Sequence, residues 1–208
     1  MDVNSVIKVL KNELKFTNSS IDKLKKFHNC LLDYNKKYNL ISKSTEKTIW
    51  VRHILDSAQI LKFLDKKESI DIADFGSGAG FPGLVLAIHS KSDRFHVKLY
   101  EKSAVKREFL NEIKEKLNLK NVDVKGDIYK SNITSNIIIC RAFKKLKEIM
   151  DISREMVKKP HKIIILKGKN AQSEINNVSL GPNYSYKLKN SITDYDSKII
   201  LFDVKKNG

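Results

Sequence analysis

One stretch constrains the fold more than any other. Residues 69 to 90 read SIDIADFGSGAGFPGLVLAIHS: a short apolar run, a turn, then a second apolar run. The turn holds four of the chain's eight glycines, Gly76, Gly78, Gly80 and Gly83. The first run has the length and residue types of a strand, the second those of a helix. Glycine reaches positive φ without steric cost and lets a ligand come close to the backbone. Pro82 stands where a first helical residue is expected, a position its preset φ suits. Strand, glycine turn and helix together form the nucleotide-binding crevice of an open α/β sheet, at the carboxyl end of the first strand.

The rest of the chain is consistent with such a sheet. FHVKLYE, NVDVKGD, NIIICRA and HKIIILKGK are expected as four further strands. The helical stretches KSAVKREFLNEIKEKLNL and KKLKEIMDISREMVKK fall between them. In the first of these, Val105, Phe109, Ile113 and Leu117 recur four apart on one face. NIIICRA is a continuous apolar run, as in a strand buried on both faces. Alternating strands and helices indicate a mostly parallel sheet. The tail, YSYKLKN and SKIILFDVKK, has no helix between its two runs and reads as a terminal antiparallel hairpin. Ahead of the sheet, residues 1–65 read as helical. Ile21, Leu24, Phe27, Leu31 and Tyr38 recur near helical spacing, and a second helix is expected through TIWVRHILDSAQILKFL. KYNLISKST between them reads as a loop with a helix N-cap at Ser44 or Thr45. The polar DKKES marks a boundary, giving a helical extension over 1–65 and an α/β domain over 66–208.

Of 208 residues, 41% are hydrophobic, enough for a substantial core, and the net charge is +16. A basic surface calls for an anionic partner, nucleic acid or a membrane surface, although a Lys-, Asn- and Ile-rich composition also follows from an AT-rich genome. Cys30 and Cys140 stand far apart with no CxxC, so neither a metal site nor a disulfide framework is expected. The N-terminus lacks a signal-peptide pattern and no apolar run approaches a membrane span, so a cytoplasmic location is expected. No exposed apolar stripe demands a dimer, and a monomer is expected.

Three ligands compete for the glycine turn. A Walker A loop ends in Gly-Lys-Ser/Thr, and GAGFPGLVL has no such ending. A dinucleotide fingerprint places its third glycine at position 81, which is Phe81 here, so a pyrophosphate is disfavoured. S-adenosylmethionine has no phosphate, and its methionine part can lie along a glycine loop. Gly76, Gly78 and Gly80 are then candidate contacts, and Asp74 is placed to orient the ligand's ammonium. Glu101 ends the second strand, 25 residues beyond Gly76, where a carboxylate accepts from ribose hydroxyls. Asp127, after Gly126 at the end of the third strand, is a candidate acceptor for an adenine amino group. Glu101 also fits a solvated helix-start carboxylate, and Asp127 a turn residue.

NLIS, RHILDS, DFGSGAGFPG, YEKSAVKREFL, CRAF and LKG follow one another over residues 39–168. Together they resemble the glucose-inhibited division protein B family, the small-subunit ribosomal RNA methyltransferase G enzymes. The resemblance implies a class I, Rossmann-like S-adenosylmethionine-dependent methyltransferase fold. That fold has a mostly parallel seven-stranded sheet, a terminal antiparallel hairpin and, here, an N-terminal helical extension. It implies methyl transfer from S-adenosylmethionine to N7 of a guanine in the decoding region of 16S rRNA. It also implies cofactor contacts at Gly76, Gly78, Phe81, Gly126, Asp127 and Arg141. The family often carries Ala-Glu or Val-Glu where this chain has Gly126-Asp127.

Guanine N7 carries an in-plane lone pair, so its methylation needs alignment rather than a general base. The chain has no DPPY-type segment of the kind used on exocyclic amines. Cys140 sits where a cytosine-C5 enzyme would place a nucleophile, but in NIIICRA it reads as a small buried apolar residue. Arg141 and Lys167, at the ends of the fourth and fifth strands, are the candidate catalytic groups, fixing cofactor or base. Arg52, His53 and Asp56 share one helix face, either as an ion pair docking that helix or, for Arg52 and His53, as RNA contacts. Lys102, Lys106 and Arg107, with Lys144, Lys145 and Lys147, start the helices after strands two and four. They are expected to form an RNA-backbone footprint on small-subunit rRNA or the 30S particle. A non-catalytic RNA-binding or assembly factor, a dinucleotide oxidoreductase and a small-molecule methyltransferase stand as alternatives.

Overall fold

The structure, a computed structural model, describes residues 1–65, 69–90 and 92–205. Seven strands form one sheet: β1 (Ile70–Phe75), β2 (Phe95–Tyr100), β3 (Val122–Lys125), β4 (Ile137–Arg141), β5 (His161–Lys167), β6 (Tyr184–Asn190) and β7 (Lys198–Val204). Their order is β3-β2-β1-β4-β5-β7-β6. The first five are parallel, while β7 pairs antiparallel with both β5 and β6. This is the expected sheet with its terminal hairpin. The order reverses between β1 and β4, and in open α/β sheets that reversal opens a crevice at the carboxyl ends.

Period-2 alternation divides the core between the two faces of the sheet. Ile72 of β1 and Ile137 and Ile139 of β4 face the cluster built with the N-terminal helices. Ala73, Phe75, Ile138 and Cys140 face the other. That second cluster is closed by α6 (Leu146–Met156) and α7 (Ala171–Asn176). The first is closed by α4 (Gly83–His89), α5 (Ala104–Lys116) and the extension. Helix α7 was not anticipated: AQSEIN is too short and polar to show periodicity.

The extension begins with α1 (Val3–Asn12), capped by Asp2, whose Oδ1 accepts from the Ser5 N–H at 2.7 Å. Then α2 (Asn18–Tyr38) is capped by Thr17 in the same way. Ile21, Leu24, Phe27 and Leu31 are buried as their spacing predicts, but Tyr38 is half-exposed at the helix end. The helix expected over residues 48–64 is broken into three pieces, with a short turn ahead of them. A 3₁₀ turn (Lys43–Thr48) leads into a π-helix (Trp50–Leu55), then α3 (Asp56–Ala58), then a second 3₁₀ turn (Gln59–Phe63). The first turn's N-cap is Ser42, not Ser44 or Thr45. Even so, Ile49, Trp50, Ile54, Leu55, Ala58, Leu61 and Leu64 are all buried. Extension and sheet share one hydrophobic cluster, in which Phe27 meets Phe81 and Phe109 with ring centroids 5.2 and 6.3 Å apart. The expected boundary at 65/66 falls partly on residues 66–68, outside the described residues. No helix among the described residues is long and apolar enough to cross a membrane.

Candidate active site

The glycine turn after β1 satisfies its own backbone. The Gly76 and Ser77 N–H groups donate to the Tyr100 carbonyl at 2.9 and 3.0 Å. Gly80 and Phe81 donate to the Ser77 carbonyl at 2.7 and 3.1 Å. Gly78 donates to Glu101 Oε2 at 2.9 Å, and Gly83 to Asp74 Oδ2 at 3.0 Å. An anion site at a glycine loop works by presenting free N–H groups; six of these donors are already taken inside the protein. The glycines divide by task. Gly80, at φ +93°, has no room for a Cβ, which would meet Leu84 Cδ1 at 2.3 Å. Gly78, at φ +56°, is open: a Cβ there would meet only the Gly76 carbonyl, at 3.8 Å. The helix starts at Gly83, with Pro82 as its N-cap, one residue later than expected.

The turn forms part of the wall of a cavity of about 550 Å³, which Leu40, Ile41, Ser42, Thr45 and His53 of the extension also line. Gly76, Gly78, Phe81, Glu101, Gly126, Asp127 and Arg141 all line it, together with Lys102, Lys106 and Lys144. Glu101 is the hinge of the glycine wall. Its Oε1 accepts from the Ser103 N–H at 2.7 Å while Oε2 holds Gly78. A carboxylate offers about four lone-pair sites, so capacity remains for a ligand. Asp127 caps a short 3₁₀ turn through the Tyr129 N–H at 3.1 Å, the turn role the sequence allowed, and still borders the cavity.

Two expected contacts are corrected. Asp74 is fully buried behind the turn, bracing Gly83, and is absent from the cavity wall, so its carboxylate cannot meet an ammonium there. Burial pushes its carboxyl up to about 7. Gly80 likewise packs against Leu84 and Leu110 rather than facing the cavity.

Arg141 ties the extension's part of the wall to the sheet. Its Nη1 donates to the Arg52 carbonyl at 2.7 Å and lies 3.7 Å from Asp56 Oδ2. Its Nη2 donates to His53 Nδ1 at 2.5 Å, and the guanidinium sits 5.4 Å from the Phe81 ring centre. His53 in turn stacks on Phe81 with centroids 5.0 Å apart. Burial and the Arg141 and Arg52 charges hold the His53 imidazole down to about 3, so it is neutral and Nδ1 is free to accept. The docking ion pair therefore exists, but between Asp56 and Arg141. Arg52 turns away from that pair and lies 3.9 Å from Asp194. Ala142 follows at φ +49°, turning the chain so that the Phe143 ring closes against Gly76.

Beyond Arg141 lies a second cavity of about 360 Å³, sharing Thr45, His53, Arg141 and Ala142 with the first. Lys167 borders it, but its expected direct role is corrected. The ammonium is held by Glu174 Oε2 and Oε1 at 2.8 and 3.1 Å and by the Lys144 carbonyl at 2.9 Å, which matches its three donors. Glu174 also takes the Leu146 N–H at 2.7 Å, so this pair anchors α7 to the start of α6. Cys140 is fully buried and its thiol is pushed up by burial, as its apolar context indicated. Of the basic footprint, Arg107 is drawn back onto the Glu101 and Lys102 carbonyls at 3.0 and 2.6 Å. Lys144 and Lys147 pair with Glu148 and Asp151 at 2.8 and 2.9 Å, while Lys102 and Lys145 are exposed. Nothing in the sequence pattern marks the segment 191–197 as part of a site. Ser191 and Thr193 reach Asp56 Oδ1 at 3.4 and 3.0 Å from across the sheet, a pairing that no local pattern announces.

A seven-stranded sheet with this order, a glycine turn after β1 and a carboxylate after β2 define a Rossmann-like protein of the methyltransferase type. Solved structures share the fold. Cofactor-bound Rv0187 from MTB superposes with a TM-score of 0.65 at 11% identity, covering 99% of this chain and 97% of that one. A SAM dependent methyltransferase from Aquifex aeolicus gives 0.56 at 17% identity, covering 81% and 96%. The chain belongs to the GidB family, described as rRNA small subunit methyltransferase G, whose model matches residues 20–199. Among relatives called Ribosomal RNA small subunit methyltransferase G, that of Pelagibacter ubique is 36% identical over 86% of this chain and 85% of its own. That of Rickettsia prowazekii is 35% identical over 90% of this chain and 95% of its own.

Proposed function

We propose that this chain is an S-adenosylmethionine-dependent methyltransferase acting on N7 of a guanosine in the decoding region of 16S rRNA. The observation that carries the reading is the polarity of the glycine turn. Six of its N–H groups are bound internally, while two carboxylates, Glu101 and Asp127, border the cavity. Such a wall fits a cationic nucleoside without phosphate, and the cavity volume of about 550 Å³ lies in the range of small-molecule sites. The open face of Gly78 allows close approach to the backbone.

The bound cofactor would supply the methyl group as a sulfonium electrophile. Glu101 would take the ribose hydroxyls through its remaining lone pairs, and Asp127 would accept from the adenine amino group. Gly76, Gly78, Gly126 and the Phe81 ring would form the surfaces between them. Arg141 is a positioning residue: it fixes His53, Phe81 and the Arg52 carbonyl, and so the partition between the two cavities. The second cavity, at the carboxyl ends of β4 and β5, would receive the guanine. No protein base is required for N7, in keeping with an imidazole whose Nδ1 is occupied and an Asp74 sealed behind the turn. Lys102, Lys106 and Lys145 would meet RNA phosphates. The chain would work as a monomer, in the cytoplasm where ribosomes are made.

The test is direct. Incubation with labelled S-adenosylmethionine and rRNA from a strain lacking this protein should label a single guanosine, mapped by N7-directed strand cleavage. Label on another base, or on an exocyclic nitrogen, would overturn the assignment. Cofactor binding without transfer to RNA would favour an assembly factor.

A further inference from the structure

The segment from Ser191 to Ser197 joins β6 to β7 and is built with unusual care for a hairpin loop. The Ser191 N–H donates to the Ser197 carbonyl at 3.0 Å, and Ser197 to the Asp194 carbonyl at 3.2 Å. The Asp196 N–H donates to Asp194 Oδ1 at 3.0 Å. From the extension, Gln59 clamps the loop twice: its Nε2 donates to Ser191 Oγ at 2.9 Å and its Oε1 accepts the Ile192 N–H at 3.0 Å. Asp56 holds Thr193, and Arg52 lies 3.9 Å from Asp194.

At the tip of this fixed loop stands Tyr195, 90% exposed, with Lys198 Nζ 5.8 Å from its ring centre. Its neighbours Asp194, Ser197 and Lys198 line the second cavity, which also has Arg52 and Lys167 on its wall. A bare aromatic ring on a hydrogen-bonded loop, beside a polar cleft that adjoins the first cavity, has the chemistry of a nucleobase platform. Unpaired RNA bases stack on aromatic side chains, and every base has a face to offer. A loop whose backbone is already held in place loses little freedom on binding.

We propose that Tyr195 stacks on an unpaired nucleotide flanking the guanosine that enters the second cavity. The loop from Ser191 to Ser197 thus selects single-stranded RNA at the entrance to the site. The inference rests on the RNA-methyltransferase reading above.

Naked 16S rRNA transcript serves as the probe, with binding and initial rates measured for the parent chain, Tyr195→Ala, Tyr195→Phe and Tyr195→Leu. The Ala variant should weaken RNA binding by ~5- to 150-fold, the range for loss of one stacked base. KM for RNA should rise with it, while S-adenosylmethionine affinity, thermal midpoint and the salt dependence of binding stay as in the parent. Phe should restore binding and Leu should not. An Ala variant equal to the parent on RNA, or a Phe variant as weak as Ala, overturns the inference and leaves the methyltransferase reading intact. A loss seen only on the assembled 30S particle assigns Tyr195 to a protein contact and overturns it too. A parent chain that neither binds nor methylates RNA removes the reading beneath it, and the inference with it.

Discussion

Two walls of the cavity at the glycine turn are made of different materials. One is backbone: a glycine turn whose shape is set by positive φ values and closed by its own hydrogen bonds to Tyr100, Ser77, Asp74 and Glu101. The other is side chain: His53, with Arg141 and Asp56 behind it, contributed by an irregular helix and the end of β4. The backbone wall is encoded in a dozen consecutive residues together with the end of β2, Tyr100 and Glu101. The side-chain wall is assembled from residues almost ninety positions apart. Binding surface comes from the first, and the placement of the extension against the sheet comes from the second.

The contrast is broken most forcefully at Arg141. Arg141→Ala leaves Asp56 buried with its cation gone, and should cost about 3 kcal/mol in chemical denaturation. If it lowered only RNA methylation and left stability untouched, the side-chain wall would be ligand-binding rather than structural. Within the backbone wall, Gly80→Ala combines a left-handed φ with a Cβ 2.3 Å from Leu84 Cδ1. It should lose roughly 2 kcal/mol or more of stability. Gly78→Ala meets open space, so its stability loss should stay near ~1 kcal/mol. Its main effect should appear in S-adenosylmethionine titration. Equal stability losses at the two glycines would erase the division of tasks between them. Glu101→Gln removes the charge from the acceptor of Gly78 and Ser103, and should weaken the cofactor by ~10- to 100-fold, read by calorimetry.

The walls also differ in their response to pH. Folded His53 is held down to about 3, against 6.5 as its ordinary value. Between those values only the unfolded chain binds the proton, so this group's stabilisation is present above 6.5 and is lost as pH falls. Folded Asp74 is pushed up to about 7, so between 3.8 and 7 only the folded chain holds its proton. Its contribution therefore declines as pH rises. The two slopes oppose each other, each at most about 1.4 kcal/mol per pH unit. Relative to the parent, His53→Gln should lose stability progressively as pH rises from 4 to 6.5, and Asp74→Asn should gain it (on the order of 1 kcal/mol per unit). Denaturant midpoints measured across that range check the signs. The smallest effect belongs to the exposed footprint. Lys145→Ala should reduce the slope of log affinity for RNA against log salt by about 1, with no change in cofactor affinity.

The sheet was almost wholly legible because its signals are local. β4 and β5 carry continuous apolar runs, β2 and β3 alternate apolar with polar residues, and the Gly76–Gly83 turn announces the crevice. The terminal hairpin showed itself as two β-rich runs with no helix between. What stayed hidden was everything that depends on long-range pairing or unusual helix geometry. Trp50 to Leu55 has the apolar spacing of an α-helix, and nothing in WVRHIL reports that it winds as a π-helix. Lys167 looked like a free cation at a strand end because Glu174, its partner, lies on a helix too short to predict. Asp74 looked like a ligand contact because the chain's path over it, with Gly83 returning to its carboxylate, is a tertiary fact. Glu101 and Asp127 each carry a structural hydrogen bond as well as a place on the cavity wall.

Calorimetric titration of the parent chain with S-adenosylmethionine and, separately, with NAD tests the central claim most directly. A glycine turn with its donors already engaged and carboxylates on its flank predicts saturable heat with the sulfonium nucleoside, weakened in Glu101→Gln, and none with the pyrophosphate ligand. Binding of NAD with no response to S-adenosylmethionine would contradict it.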